Sequence, residues 1–340
     1  MTRLATPIVL ASVLAMDCGQ SSASAQEKPG VTVEEKPQGR QSPEARGISG
    51  RGVDLLVFGP HPDDEVLACS GIIRQALTAG RRVKVVLFTN GDGLPDFASS
   101  LARKPGAKLA PEDFLELARH RQKQSQTSFD ILGGKSGDLI FLGYPDAGLD
   151  KVYDAKGKEP FEQKFTRKSE TYGPAQPDYH SAVHGRPSPY TYDAALADVI
   201  ELIRTLKPLE IYVTTEGDEH LDHKAAFRFV RDALKAVGHD CELYTYANHA
   251  GPEWPWPLGY TPNNRFEAHD VKGQQSPRGV PWPPTRRVPL PPEVVQLKLS
   301  AIQASMIPMA EGGQRRFEFR REYFKSFAKI EEVFWAVDTR

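Results

Sequence analysis

The chain is short of cysteine, of net charge and of long apolar runs, and each shortage removes a class of protein. Its 340 residues contain 3 cysteines, at positions 18, 69 and 241. That is too few for a disulfide framework or a cysteine-rich zinc site, so stability must come from an ordinary core. A Cys69–Cys241 disulfide is not expected, and Cys69 reads as a small buried side chain. Lysine and arginine total 43 against 44 acids, a net charge of −1, which leaves no electrostatic footprint for nucleic acid. No segment is apolar enough to span a bilayer, and no internal repeat is present. Glycine and proline are plentiful at 28 each, whereas hydrophobic content is a normal 39%, which points to long loops around a real core.

The first 25 residues have the pattern of a secretory signal. Arg3 supplies positive charge, Ala5–Met16 is an apolar stretch too short to cross a membrane, and Ala23-Ser24-Ala25 offers a cleavage site. Export to a secreted or periplasmic location is therefore expected. Lipid modification at Cys18 is the weaker alternative, because Asp17 precedes it. Residues 26–51 are rich in Glu, Lys, Pro, Gly and Ser without hydrophobic period and read as a flexible linker. Residues 52–340 are expected to form the working domain.

Within it, apolar β-branched runs alternate with helical patterns. Strands are predicted at 53–58, 83–88, 139–142, 210–215 and 241–247. Helices are predicted from Asp64 to about Ala79, then over 114–132, 192–206, 225–237, 294–306 and 317–330. Residues 94–111 and 151–189 read as irregular. Residues 251–292, dense in proline and carrying Trp254, Trp256 and Trp282, read as an excursion ordered by packing or a lid. Alternating strands and helices imply an α/β fold, a three-layer α/β/α Rossmann-like arrangement with a mostly parallel sheet.

Two strand ends carry the chemistry. The first strand runs into Gly59-Pro60-His61-Pro62-Asp63-Asp64-Glu65, and the fourth into Asp218-Glu219-His220-Leu221-Asp222-His223. Open α/β sheets bind ligands just beyond such carboxyl ends. A catalytic zinc needs three N/O ligands and an open position for water, and a nearby carboxylate to accept the water's proton. His61, Asp64 and one of the His220/His223 pair can meet the first need, and Asp63 the second. Asp222 or Glu219 could orient a ligand histidine. The other histidines, His249 among them, read as polar loop residues; His180 and His184, four apart, form the one further pair to check.

These motifs resemble the PIG-L/LmbE-like zinc deacetylases. The likeness rests on the His61-Pro62-Asp63-Asp64 segment and the His220-x-x-His223 pair. It is supported by Thr89-Asn90-Gly91-Asp92 and by Phe141-Leu142-Gly143-Tyr144-Pro145-Asp146. It spans roughly residues 53–247. It implies a Rossmann-like fold and removal of an N-acetyl group from an amino sugar. By position it assigns His61, Asp64 and His223 to Zn²⁺, Asp63 to the general base, and His220 to the tetrahedral intermediate or the departing amine. Asp146, Arg121 and Asp92 would contact substrate; Gln124 departs from the family's Arg-x-x-Glu pattern after Arg121. The expected partner is a small-molecule or glycan substrate bearing an N-acetyl amino sugar. Three other readings compete. One is an amidohydrolase of an acylated natural product or thiol conjugate. Another is a Mg²⁺ phosphoesterase, disfavoured by the histidines. The last is an inactive carbohydrate-binding protein, disfavoured by the intact acid set.

Overall fold

The computed structural model describes residues 52–338, apart from 105, 158, 252, 272 and 307–320. The expected signal segment and linker lie outside the described residues. In chain order the elements are β1 (Leu55–Gly59), α1 (Asp64–Thr78), β2 (Val83–Thr89), α2 (Pro95–Ala102), α3 (Pro111–Ile131), β3 (Leu139–Tyr144), α4 (Leu149–Ala155) and α5 (Tyr179–His184). There follow α6 (Tyr192–Leu206), β4 (Glu210–Thr214), α7 (Leu221–Val237), β5 (Glu242–Tyr246), β6 (His269–Val271), β7 (Gln274–Ser276), β8 (Arg286–Pro289), α8 (Pro292–Ser305) and β9 (Glu331–Val337).

Seven strands form one sheet in the order β3-β2-β1-β4-β5-β9-β8. The pairs from β3 to β5 are parallel, and β9 and β8 add antiparallel. β1 shows why the parallel part is central. Its residues are apolar on both parities, so Leu55 and Val57 enter one core while Leu56 and Phe58 enter the other. The first core holds α1, α8 and the end of α3; the second holds α4, α6 and α7. The strand order turns back at β1, whose two neighbours are β2 and β4. A crevice therefore opens between the carboxyl ends of β1 and β4, where an open α/β sheet takes its ligand.

Several expectations change. The stretch 94–111 contains α2, and 151–189 begins within α4 and contains α5. The 251–292 excursion carries the β6–β7 hairpin and strand β8. Of the predicted helix 317–330, residues 321–325 are helical, and the chain then becomes strand β9, which the sequence reading missed. Trp254 is fully buried, stacked on Phe266 and donating from Nε1 to the Ala247 carbonyl at 2.7 Å, so the excursion is anchored by packing. Cys69 and Cys241 are free thiols. His180 and His184 pair with Asp198 (2.7 Å) and Glu201 (2.8 Å) of α6, tying α5 to that helix.

β9 is fastened by a buried ion pair. Glu332 accepts from Lys298 Nζ of α8 at 2.6 Å and from the Gly71 and Ile72 amides of α1 at 2.7 and 2.9 Å. A Cβ on Gly71 would sit 2.9 Å from the Glu332 carboxyl carbon and 2.4 Å from Leu290, so only glycine admits this approach. Both charged side chains are about 1% exposed. Lys298→Ala leaves Glu332 buried without its cation, and unfolding in urea should show a loss of roughly 3–5 kcal/mol.

Candidate active site

β1 delivers His61–Asp64 to the crevice and β4 delivers Asp218–His223. Pro62 keeps the first loop extended before Asp63 turns it at φ 151°, a conformation that costs a non-glycine residue energy and must be held by its surroundings. It is held from two sides. Arg121 of α3 donates to Asp63 Oδ2 at 2.8 Å, to the Pro62 carbonyl, and to the Gly91 carbonyl at 3.2 Å; the Asp63 amide donates to Glu65 Oε2 at 3.2 Å. Gly91, at φ 68°, lies against the guanidinium so closely that a Cβ there would be 2.4 Å from Nη1. Burial, helped by the charge of Asp63, pushes the Glu65 carboxyl up to about 8.

Three donor atoms converge. His61 Nδ1, Asp64 Oδ2 and His223 Nε2 are each 3.2 Å from the other two. The far nitrogen of each imidazole faces acids. His61 Nε2 meets Asp146 Oδ1 at 3.2 Å and Asp222 Oδ2 at 3.3 Å, and His223 Nδ1 meets Asp218 Oδ2 at 3.2 Å. Acids at those nitrogens hold a proton there, and when the other ring nitrogens give up theirs the three converging atoms present lone pairs to one point. Such a triangle calls for a cation. Burial alone would lower His223, but Asp218 and Asp64 outweigh it and push it up to about 10. In the same way burial opposes, and Asp146, Asp222 and Asp64 enforce, a raised His61; Asp64 is held low against its burial by His223 and His61.

The carboxylates behind the triangle are themselves fixed. Asp218 accepts from the amides of His220 (2.9 Å), Asn248 (3.1 Å) and His249 (2.9 Å). Asp222 accepts from Ala147 at 2.7 Å, Asp146 from Gly93 at 2.6 Å, and Asn248 Nδ2 donates to Asp64 Oδ1 at 2.8 Å.

His220 caps α7: its Nδ1 accepts the Asp222 amide at 3.3 Å, so its Nε2 carries the proton. Burial and the neighbouring His61 and His223 push it down to about 4, which keeps it neutral. Its ring stands edge-on to His61 with centroids 4.8 Å apart.

A cavity of about 740 Å³ opens over these groups, lined among others by His61, Asp63, Asp64, Arg121, Asp146 and His220. Asp92 is buried beside it and accepts from the Tyr172 hydroxyl; burial and then Asp146 push it up to about 7. His249, read from sequence as an ordinary loop residue, lines the same cavity and lies with Asp64 and His223 in a group able to ligate metal. Its position just past β5, on the same sheet edge as His61 and His220, was the available signal. Asn248 and Tyr323 were missed too; the Tyr323 hydroxyl meets His249 Nδ1 at 3.3 Å.

The GlcNAc-PI de-N-acetylase family model matches residues 56–234, more than half of the chain. The chain belongs to this family. No curated protein sequence matches it. Among solved structures, N,N′-diacetylchitobiose deacetylase from Pyrococcus horikoshii is 16% identical and aligns over 85% of each chain with a TM-score of 0.50. The A40926 pseudoaglycone deacetylase Dbv21 is 15% identical over 85% of this chain and 99% of its own, with a TM-score of 0.47. The 4-carboxy-2-hydroxymuconate hydratase GalB from Pseudomonas putida KT2440 is 14% identical over 85% and 97%, with a TM-score of 0.48. The de-N-acetylase family match covers both loops that build the donor triangle.

Proposed function

We propose that this de-N-acetylase family member is a zinc-dependent amidohydrolase that removes the acetyl group from an N-acetylglucosamine-type sugar or glycoconjugate. The observation that carries the reading is the triangle of His61, Asp64 and His223. Its 3.2 Å edges fit a tetrahedral ion, for which Zn–N and Zn–O bonds of 2.0–2.1 Å set edges of about 3.3 Å. Bound there, zinc supplies Lewis acidity toward an acyl oxygen and lowers the pKa of water. Asp63 faces the same cavity and takes the proton of the attacking water. Its partner Arg121, 2.8 Å away, holds it in place. His220, neutral with its proton on Nε2, donates to the oxygen on which negative charge develops. The proton is then returned to nitrogen, and acetate and a free amine leave.

The substrate class follows the family description and the chitobiose deacetylase whose fold the chain shares. The signal-like residues 1–25 support an exported enzyme, which N-terminal sequencing of the secreted protein would test by a start at Gln26.

The function is tested by zinc content together with acetate release from a panel of N-acetylated sugars. About one zinc per chain with acetate release supports it. Absence of stoichiometric zinc would sink the mechanism. A second test addresses the support behind the ligands. Asp218→Ala removes the acceptor behind His223, and zinc affinity measured against a competing chelator should weaken roughly 10- to 100-fold.

A further inference from the structure

The cavity, about 740 Å³, is much larger than an acetamide requires; Asp96 and the Glu219–Arg278 pair (3.4 Å) line it as charged groups, and other polar groups of its wall are engaged within the protein. Arg121 is bound to Asp63, Pro62 and Gly91, and Asp146 to Gly93 and His61. Away from the donor triangle, among the described residues, much of the wall is apolar. Leu67 lies one turn along α1 from Asp64, Leu94 and Phe97 open α2, and Tyr323 stacks on His249 with Phe324 packed against Tyr323. These side chains belong to two separate hydrophobic clusters, one under α1 and one between α2 and α3. The cavity therefore lies where two apolar clusters reach the acid-rich crevice. A sugar hydroxyl set against those faces would lose water without gaining partners, whereas a hydrocarbon would gain contact area.

We propose that the cavity contains an apolar subsite beside the donor triangle, which takes an apolar group of several carbons carried by the substrate close to its scissile amide. The group is attached either through the acyl carbonyl or through the sugar as an aglycone. This rests on the amidohydrolase reading and narrows its substrates to amphiphilic amides.

Two ligand series separate the sources: N-acylglucosamines with acyl chains of increasing length, and alkyl N-acetylglucosaminides with alkyl chains of increasing length. Binding is measured by calorimetry on Asp63→Asn, in which turnover is suppressed, and kcat/KM on the native enzyme. In at least one series, affinity and kcat/KM should rise about three- to fourfold per methylene until the wall is covered, with a negative heat-capacity change. The series that rises names the source. Leu94→Asn, at a half-buried position, should flatten that rise, its zinc content and melting temperature reporting that the fold is kept. If neither series gains with chain length, the subsite is overturned, even where N-acetylglucosamine itself is hydrolysed. Chain-length-dependent binding without cleavage of any amide would uphold the subsite and overturn the amidohydrolase.

Discussion

In the Asp63→Asn enzyme, kcat for amide hydrolysis falls by roughly 10²- to 10⁴-fold while zinc content stays at the native level. The split between the two readouts is the point of the experiment. Asp63 Oδ2 is bound to Arg121 at 2.8 Å, and the donor atoms of the triangle come from His61, Asp64 and His223. Asparagine preserves the shape, and the Pro62 and Gly91 carbonyls still hold the guanidinium, so the loop keeps its conformation. What is lost is a carboxylate able to accept a proton. Acetate release and metal analysis on the same preparation check it. Native activity in Asp63→Asn would assign the base to another group, with His249, which lines the same cavity, the first alternative to test.

His223→Ala has the opposite signature: zinc content and activity disappear together. The imidazole is fully buried, supplies one vertex of the triangle through Nε2, and is the ion-pair partner of Asp218 through Nδ1. Removing it leaves two ligands, fewer than a catalytic zinc site uses. It also leaves Asp218 facing an empty volume. Metal analysis after dialysis should show zinc near background, and a chelator should abolish native activity in the same way. Full zinc retention in His223→Ala would mean that the ion is held elsewhere, with His249 the first residue to test beside Asp64.

The outcome for individual residues shows where sequence reading works in this fold. The end of β1 was legible because a both-face-apolar strand, a proline-broken polar loop and an amphipathic helix are local patterns. α6 was read at its observed limits, Tyr192–Leu206, because Lys207-Pro208 ends the helical pattern; in the structure Thr191 caps the helix and Lys207 leaves it in a left-handed conformation. β9 was not legible. Its first two residues, Glu331 and Glu332, are buried, and nothing near them in sequence says so. Their partners Arg287 and Lys298 arrive from β8 and α8. A strand that opens with two acids looks like a solvated helix end until those cations are placed beside it. His249 was missed for a related reason. A lone histidine in a loop carries no spacing signal, and its significance comes from lying beside Asp64 and His223, which are far away along the chain.

By itself the sequence determined the class of fold and the two acid-and-histidine loops, since strand and helix periods and short motifs are properties of neighbouring residues. The tertiary structure decided what those loops do together. It placed β4 beside β1, so that His223 meets His61 and Asp64 at 3.2 Å. It set Arg121 of α3 under Asp63, and brought apolar side chains from two clusters to the same cavity. Distances between groups more than a hundred residues apart depend on strand order and helix packing. Those follow from the summed burial of both faces of the sheet, and no local pattern encodes them.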